Sequence, residues 1–501
     1  MTTVFPLLGN QLFPPELLEP HRDAHFVMVE DAGLCRYQPH HQQKLVLMLT
    51  AMRAHAAELR ARGFTLTYRR LDDDDNRGLL ACLGELAGRL RATTLRHFEV
   101  LGRRTRADVA DCAARYGLRQ EVLASPMFLT TLDEFDAHLS RDRRPFMARF
   151  YRRVRQRHRI LLDADGGPRG GRWSFDADNR QRLPRGRVPP GWPPVERTRE
   201  VETVIELVRR EFPAHPGDAR NFHWPVTRIE ALAWLDDFVQ RRLADFGPWQ
   251  DALTQRSDLV YHAALSPLLN LGLLTPREVL FRVLDHAAVH DVAPNSLEGF
   301  VRQLLGWREF VRGVHERFGA EQARRNFFEH RRLPGPAWWR GETGIPPLDD
   351  AIRGALARGW NHHIQRLMVV GNLMLLAEIA PREAYRWFMA MYVDAYGWVM
   401  EANVYGMALY SDGGLFATKP YACGANYLLK MSDYRRGPWC DVVDGLYWRF
   451  VARHRDFFAG HPRLGMLVGN LDRMDTARRE RIDAAARQFL DRHTTLPRAA
   501  G

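Results

Sequence analysis

A chain of 501 residues is too long for one hydrophobic core, so two or three domains are expected. The hydrophobic content of 46% and the aromatic content of 11% exclude an intrinsically disordered chain. The longest apolar run, residues 367–377, is too short to cross a bilayer, so we expect no membrane partner. The first residues, MTTVFPLLGN, lack the features of a signal peptide, so we expect a cytoplasmic protein.

The net charge of +12 comes almost entirely from arginine, since lysine occurs only at Lys44, Lys419 and Lys430. Arginine binds phosphate bidentately and stacks on bases, so this charge favours a nucleic-acid partner. The alternative is that arginine simply serves as the ordinary surface cation of this protein. Five cysteines form no C-x-x-C pair and favour a reducing compartment. They are Cys35, Cys82, Cys112, Cys423 and Cys440.

Residues 1–135 alternate short apolar runs with amphipathic helical segments, which predicts an α/β domain with a parallel, Rossmann-like sheet. No GxGxxG or GxxxxGK[ST] sequence follows the first strand, which argues against a standard dinucleotide or P-loop site there. The predicted elements are, in order, strand 4–9, strand 25–30, helix 40–63, strand 64–71, helix 78–92, strand 94–100, helix 105–116 and strand 118–124.

Residues 136–199 are predicted to be an interdomain linker, because much of this segment is dense in glycine, proline and arginine without a sustained period. Its arginines either are solvated or lie along a phosphate backbone. From residue 200 to residue 501 almost every periodic segment is helical, which predicts a large all-α domain. Helices are predicted at 198–212, 227–244, 276–289, 296–318, 349–358, 361–379, 382–398 and 474–492.

The segment NHHIQRLMVVGN, residues 361–372, places His362, His363 and Arg366 at the start of an apolar helix. Burying groups that titrate near neutrality or carry a charge costs several kcal/mol unless each group finds a partner. A lone histidine in such a helix is usually a satisfied core residue. Two histidines clustered with an arginine are as consistent with a functional site as with a structural role.

Several ordered strings resemble the photolyase/cryptochrome superfamily, and specifically its bacterial and archaeal branch of (6-4) photolyases and cryptochromes. The resemblance covers essentially the whole chain. The strings are GRWSFDADNR (171–180), HWPVTRIEAL (223–232), VYHAALSPLLNLGLLTP (260–276), NSLEGFVRQLLGWREFVRG (295–313), WWRGETGIPPLDDAI (338–352), NHHIQRLMVVGN (361–372), NVYGM (403–407), DGGLFATKPY (412–421) and KMSDY (430–434).

The resemblance implies that the helical domain, residues 200–501, binds FAD in a U-shaped conformation. His262, Leu265 and Ser266 would lie near the flavin phosphates and ribitol. Arg302 and Gln303 would form another wall of the site. Arg366 and Asp394 match the superfamily's salt bridge over the isoalloxazine, which would pair the buried arginine. The implied cofactor-binding residues are His262, Leu265, Ser266, Arg302, Gln303, Arg366, Asp394 and Asn403.

The resemblance further implies light-driven repair of UV-damaged DNA, in which excited reduced FAD passes an electron to a lesion flipped out of the duplex. Repair of a (6-4) photoproduct also needs a proton, and His363 matches the essential histidine that would donate it. His362 would support His363. Leu367 stands where the animal enzymes have a second histidine.

Trp339 and Trp387 match tryptophans that relay electrons from the surface to the photoexcited flavin. The relay's neighbouring tyrosine is replaced by Phe388, which is harder to oxidise. Near the flavin N5, relatives often have glutamate, whereas this chain has Met400, with Glu401 one residue on. We therefore expect the redox and protonation behaviour of the flavin to differ from that of its relatives.

Arg180 and Arg182 in the linker, with Lys419 and Tyr421 beside the pocket, are the predicted contacts to the damaged DNA strand. We expect the protein to act on this DNA as a monomer. The alternative to repair is a cryptochrome-type blue-light photoreceptor that uses the same FAD for signalling. A non-photochemical FAD-binding or DNA-binding protein is a third hypothesis. The presence of His363 and of the basic face favours repair.

The branch usually binds a ribityl-lumazine antenna through a G-D-Q-L sequence and an acidic pair after the second strand. This chain has Asn10 in the first position, and Gly33 and Leu34 in the segment EDAGLCRY, so the expectation of this antenna is weaker.

The branch also holds a [4Fe–4S] cluster through four cysteines. The corresponding positions here are Pro347, Arg435, Pro438 and a shortened loop near Cys440, so we predict that the cluster and its metal ligands are absent.

Overall fold

A computed structural model describes residues 2–142 and 144–497. Its N-terminal part contains a five-stranded parallel sheet in the order β3-β2-β1-β4-β5, which confirms the predicted Rossmann-like α/β domain. Every strand predicted from the sequence is present. The strands are β1 (Thr3–Pro6), β2 (His25–Val29), β3 (Leu66–Arg69), β4 (Thr94–Phe98) and β5 (Arg119–Leu123). The helices around them are Ala32–Arg36, Gln42–Ala61, Leu79–Leu90 and Arg103–Arg115.

The segment predicted as a linker, residues 136–199, is partly helical. Its first part holds the helices Leu132–Asp142 and Met147–His158, so the boundary placed at residue 135 falls inside a helix. Amphipathic helices of this length are stable because they bury one apolar face. The part that follows is rich in proline and glycine, which interrupt helices. The irregular connection is therefore confined to residues 159–198, apart from one 3-10 turn.

The rest of the chain is a helical domain, as predicted. Two of its helices begin with a complete capping box, at Thr227 and at Thr275, which fixes where these helices start. The α-helices are Arg199–Glu211, Arg228–Arg241, Leu243–Trp249, Ser266–Leu271, Pro276–Val289, Pro294–Val301, Glu309–Gln322, Ala337–Arg340, Pro346–Arg358, Asn372–Leu376, Pro381–Met391, Gly397–Met400, Ala425–Met431, Trp439–Arg453, Arg455–Gly460, Met466–Asp472 and Thr476–His493.

Charged side chains join the α/β domain to the helical domain across a shared hydrophobic core. Arg312 of the helical domain donates to the Glu99 carboxylate at 2.7 Å and to the Thr130 carbonyl at 2.8 Å. In the opposite direction, Arg103 of the α/β domain donates to Glu401 at 2.5 and 2.9 Å. Because these guanidinium groups bind fixed acceptors, the two domains are held in one orientation.

The described part of the chain contains no helix that is both long enough and apolar enough to cross a membrane.

Candidate functional site

Three π-helical segments carry residues that were singled out in the sequence. They are Arg302–Arg308, Gln365–Gly371 and Glu401–Ala408. The π-helix is rare, and its single turns occur frequently at functional sites. The second and third segments approach closely, since a Cβ atom on Gly371 would lie 2.8 Å from the Ala408 Cβ. The second and third of these distorted helices are thus in direct contact.

A glycine turn places the histidine segment at this region. Helix Pro346–Arg358 ends at Gly359, whose φ of +64° is a left-handed conformation that favours glycine. A Cβ atom at this position would lie 2.4 Å from Val393 Cγ1. The Gly359 carbonyl accepts a hydrogen bond from the Val393 amide at 2.8 Å. This backbone contact brings the segment before Arg366 next to the segment that carries Asp394.

Arg366 and Asp394 form a bidentate salt bridge, with distances of 2.8 and 3.0 Å. The Arg366 Nε atom also donates to the Asn361 carbonyl at 2.7 Å. The Asp394 carboxylate accepts from the Ser266 hydroxyl at 2.5 Å, and its backbone carbonyl accepts from Asn270 at 2.9 Å. Side-chain exposure is only 14% for the arginine and 5% for the aspartate, so the pair compensates two largely buried charges.

His262 and His362 form a stacked pair, with ring centroids 4.9 Å apart and an interplanar angle of 11°. His262 donates from Nε2 to the Gln250 carbonyl at 2.7 Å. Burial lowers the pKa of His262 to about 4 and lowers the pKa of His362 well below its ordinary value. Both imidazoles are therefore neutral at neutral pH.

His363 faces a recess. Its side chain is exposed to solvent, yet protein surrounds the ring, and this enclosure together with the Arg366 charge lowers the pKa of His363 to about 4. An anion placed beside the ring would raise the pKa of His363 again, because it would favour the protonated form.

Several buried polar atoms beside these residues have no partner in the described chain. They are Asn361 Nδ2, Gln365 Oε1 and both ring nitrogens of His362. Unsatisfied buried polar atoms are costly and usually indicate a bound group that completes them. The set contains both donors and acceptors, which fits a polar flavin nucleotide such as the resemblance implies.

The other residues with an implied cofactor role have well-defined surroundings. Leu265 is 3% exposed, in the hydrophobic core before helix Ser266–Leu271. Gln303 and Asn403 donate back to backbone carbonyls one helical turn earlier, at 3.0 and 2.8 Å. Arg302 donates to Asp176 of the linker at 2.8 Å, so its guanidinium is engaged by a carboxylate of the protein.

The tryptophans of the implied relay are neighbours. The rings of Trp339 and Trp387 lie 6.4 Å apart, and Trp387 is fully buried. The Trp387 indole donates to the Trp338 carbonyl at 2.8 Å. Phe388, which replaces the relay's tyrosine, packs against Trp387 at 5.4 Å. The pair therefore forms a continuous aromatic contact that ends at the half-buried ring of Trp339.

Glu401, next to Met400, belongs to the domain interface. Its carboxylate accepts from Arg103 and lies 2.7 Å from Nδ1 of His315. Burial raises the pKa of Glu401, but the bonds from His315 and Arg103 outweigh it, so that the pKa lies below its ordinary value. Met400 is 2% exposed. Glu401 therefore acts as a charged contact between the domains.

The residues predicted to contact DNA lie partly together. Arg180 is exposed and donates to Asp176 at 2.5 Å. Burial raises the pKa of the Tyr421 hydroxyl, and the negative charge of the nearby Asp176 adds to this shift. Arg182 is exposed and Lys419 is half-buried.

Asp251 adds a titrating carboxylate to this region. Burial and the nearby Asp176 raise the pKa of Asp251 to about 6, although Arg180 and Arg302 oppose this shift. The carboxylate therefore changes charge just below neutral pH.

The acidic residues after β2 are engaged within the α/β domain. Glu30 accepts from Arg53 at 2.7 and 3.0 Å and from the Tyr68 hydroxyl at 2.7 Å. Asp31 accepts from the Leu34 amide at 3.0 Å and also from the Leu79 amide. A ribityl-lumazine would therefore find no free carboxylate at Glu30 or Asp31.

The cysteines nearest the implied cluster position are buried. Burial raises the pKa of Cys423 to about 12 and raises the pKa of Cys440. Within residues 2–142 and 144–497, no group of three or more His, Cys, Asp or Glu side chains could hold a metal ion. The Tyr434 hydroxyl donates to Asp350 at 2.8 Å, close in sequence to Arg435 and Pro347, two of the implied cluster positions.

Sequence reasoning missed several neighbours of the Arg366 charge. The Arg366 guanidinium lies 4.0 Å from the ring centre of Tyr392, whose hydroxyl donates to Asn361 at 2.9 Å. Trp360 lies on another side, at 5.9 Å. Trp360 and Asn361 directly precede the histidine pair, and this position could have singled them out. Tyr392 lies in an apolar helical pattern that contains no such indication.

Comparisons with known proteins agree with this geometry. Residues 5–224 match the family "Deoxyribodipyrimidine photo-lyase-related protein", and residues 300–422 match "FAD binding domain of DNA photolyase". The chain is 34% identical over 508 residues to the (6-4) photolyase of Agrobacterium fabrum, covering 98% of this chain and 99% of that protein.

Two solved structures are similar in fold. A bacterial class III photolyase from Agrobacterium tumefaciens has a TM-score of 0.59 and 18% identity, with 98% of both chains covered. The Synechocystis cryptochrome has a TM-score of 0.58 and 15% identity, again with 98% of both chains covered. Fold similarity alone does not distinguish the two kinds of protein.

Proposed function

Because the chain belongs to the photolyase/cryptochrome family, we propose that it is a (6-4) photolyase, a lyase that uses light to repair UV-damaged DNA. The observation that carries this proposal is the position of His363. Its ring is exposed in a recess beside the buried Arg366–Asp394 pair, where a proton donor can meet a base that leaves the duplex. The full-length similarity to a (6-4) photolyase supports it.

The polar groups of FAD match the polar atoms that the described chain leaves unpaired in the buried wall of the recess. Asn361, Gln365 and His362 have buried atoms that need partners, and the Arg366–Asp394 pair supplies fixed charge beside them. Further contacts are proposed for His262, Leu265, Ser266, Arg302, Gln303 and Asn403. When bound and reduced, FAD supplies on excitation by light the electron that the lesion requires. The protein orients the cofactor and excludes competing water from the buried wall.

His363 is proposed to hold and deliver the proton. In the protein alone it is neutral, because enclosure and Arg366 lower its pKa to about 4. An anionic group beside the ring would raise the pKa and load the ring with a proton. The His362 ring stacks on His262 and makes no hydrogen bond in the described chain, so we propose that it supports the position of the His363 backbone.

DNA is proposed to approach the face that carries Arg180, Arg182, Lys419 and Tyr421. Arginine and lysine there would contact phosphates, and an aromatic ring can stack on a base. Asp176 holds Arg180 in place at 2.5 Å, so the charge is oriented before DNA arrives. We also propose a cytoplasmic monomer in which helices Leu132–Asp142 and Met147–His158 and the irregular residues 159–198 connect the α/β domain to the helical domain.

We propose that FAD works here without a [4Fe–4S] cluster, because proline and arginine replace the cluster cysteines. The engaged carboxylates of Glu30 and Asp31 disfavour a ribityl-lumazine antenna.

The test is to illuminate the purified reduced protein with a (6-4)-damaged oligonucleotide and to follow lesion loss by chromatography. Multiple turnovers per protein support a photolyase. A stable flavin response to light without any lesion loss would instead identify a cryptochrome-type photoreceptor. The same oligonucleotide kept in the dark, and one with a cyclobutane dimer, are the controls.

A further inference from the structure

Four tryptophans form a second aromatic cluster, separate from Trp339 and Trp387. Trp360 and Trp192 meet edge to face, with ring centroids 5.4 Å apart and an angle of 89°. Trp192 also touches Trp224 at 5.6 Å and Trp234 at 6.0 Å. Trp224 and Trp234 are fully buried and stack on each other at 25°. Trp192, from the irregular connection, is the half-buried member of the cluster.

One end of this cluster reaches the candidate flavin site. The Trp360 indole is 5% exposed, and its Nε1 atom donates to the Ser266 hydroxyl at 3.4 Å. The same ring lies 5.9 Å from the Arg366 guanidinium and 6.2 Å from the His262 ring. Trp360 is thus in direct contact with the residues that surround the proposed cofactor.

The other end carries a proton acceptor. The Trp192 indole donates from Nε1 to the Asp258 carboxylate at 2.7 Å. A tryptophan that loses an electron becomes a strong acid at this nitrogen, and a carboxylate in hydrogen-bond contact can take the proton. Trp387 differs, because its indole donates to a backbone carbonyl that cannot be protonated. Trp192 therefore combines partial exposure with a hydrogen-bonded proton acceptor, as the solvent end of an electron relay requires.

We propose that Trp360 and Trp192 form a second electron relay between the cofactor site and solvent, with Asp258 as its proton acceptor. This inference rests on the proposed FAD site. It gives a function to the Trp192–Asp258 bond, which joins residues 66 positions apart in the chain.

Electrons and protons balance along this route. Trp360 gives one electron to the photoexcited oxidised cofactor, and Trp192 then gives one electron to the oxidised Trp360. The indole proton of Trp192 moves to Asp258, which leaves a neutral tryptophanyl radical. A thiol in solution, as its thiolate, gives one electron to this radical and becomes a thiyl radical, while Asp258 returns the proton to the indole. The net change is the transfer of one electron from the thiol to the cofactor.

Nearby charges do not block this route. The Arg358 guanidinium lies 5.1 Å from the Trp192 ring and would oppose its oxidation, but Arg358 is ion-paired with the same Asp258 carboxylate. His223 contacts the Trp192 ring at 5.0 Å. Burial, reinforced by Arg358, lowers the pKa of His223 to about 4, so this imidazole adds no positive charge at neutral pH.

The test measures photoreduction of the oxidised holoprotein by blue light with a thiol present and without DNA. Trp387→Phe should slow photoreduction and leave a residual rate. Adding Trp192→Phe should remove that residual rate and the transient tryptophanyl absorption. Trp234→Phe, a matched buried control off the route, should leave both unchanged. A residual rate that Trp192→Phe does not reduce would overturn the proposal and leave the cluster a packing feature.

A second variant separates electron transfer from folding. Asp258→Asn keeps an acceptor for the Trp192 indole but removes the carboxylate that can take the proton. We expect a tryptophanyl radical that stays cationic, recombines several-fold faster and loses its solvent-deuterium dependence. An unchanged deprotonation of the radical would overturn the role of Asp258. Repair by chemically pre-reduced Trp192→Phe protein should remain normal, so a failure of repair in the parent would concern the proposed function alone.

Discussion

Arg366 and Asp394 are joined by two hydrogen bonds of 2.8 and 3.0 Å in a largely buried position. Removing one partner leaves a buried charge uncompensated, which costs on the order of 3 kcal/mol. We expect Asp394→Asn to lower the free energy of unfolding by about this amount and to reduce the FAD content of the purified protein. Urea denaturation and the flavin absorbance after purification measure the two effects.

An exposed ion pair is the matched control. Arg209 and Glu206 are one helical turn apart, with side-chain exposures of 41% and 67%. Such surface pairs contribute less than about 1 kcal/mol. Glu206→Gln should therefore leave stability and FAD content close to the parent values. Equal effects of the two substitutions would contradict the special role of the buried pair.

The proton donor is tested at His363. We expect His363→Ala to lower (6-4) repair about 100-fold or more, because a general acid typically contributes at least this factor to the rate. FAD content should stay normal, because the buried polar atoms and the Arg366–Asp394 pair proposed to hold FAD remain in place without this exposed ring. Repair yield per absorbed photon under saturating light is the measurement. Near-parental yield in this variant would remove His363 from the mechanism.

The fold was largely predictable because helices and strands that bury one face have a regular hydrophobic periodicity in the sequence. Period-2 and period-3.6 patterns predicted the strands of the α/β domain and the long helices. The π-helical segments were not predictable in this way. One extra residue in a turn hardly changes the apolar pattern, and its position depends on tertiary contacts such as that between Gly371 and Ala408.

The site was predictable only in part. Arg366 and Asp394 are 28 residues apart, and their pairing was expected from the family resemblance alone. No local sequence pattern indicates the hydrogen bond between Trp192 and Asp258. It joins the Pro-rich connection to the helical domain. Long-range polar contacts of this kind depend on how helices pack, which periodicity does not report.

DNA binding is tested by charge reversal in the connection. Replacing Arg180 and Arg182 by glutamate should weaken binding of damaged duplex and flatten its salt dependence, since fewer counterions are released. The same reversal at Arg89 and Arg91 of the α/β domain changes the net charge equally and should have little effect. Fluorescence anisotropy at several salt concentrations gives both quantities. Equal slopes for the two double variants would place the DNA elsewhere.

The absence of an iron–sulfur cluster is a prediction about composition. A [4Fe–4S] centre needs four thiolates at one place. Of the five cysteines only Cys440, in the first turn of helix Trp439–Arg453 and not in a loop, lies near the corresponding positions. We expect iron and acid-labile sulfide to be far below stoichiometric in protein purified without oxygen. Cys440→Ser should leave FAD content and stability nearly unchanged. Stoichiometric iron with the broad absorption of a cubane cluster would overturn this prediction.

Asp251 is expected to make the affinity for DNA depend on pH. Burial and Asp176 raise the pKa of Asp251 to about 6, so the carboxylate is charged at pH 7.5 and mostly neutral at pH 5.5. The raised pKa means that the ionised form also destabilises the fold above pH 6, and this cost disappears as the pH falls. Losing a negative charge beside Arg180 should strengthen phosphate contacts. We therefore expect affinity for damaged duplex to rise as the pH is lowered through 6.

Asp251→Asn should bind DNA more tightly than the parent at pH 7.5 and should lose most of the change between pH 7.5 and pH 5.5. Asp472→Asn is the control, because its bond to Arg455 lowers the pKa of Asp472 and keeps that carboxylate charged over this range. The control variant should follow the parent profile. An Asp251→Asn protein that keeps the full pH dependence would show that a different titrating group is responsible for it.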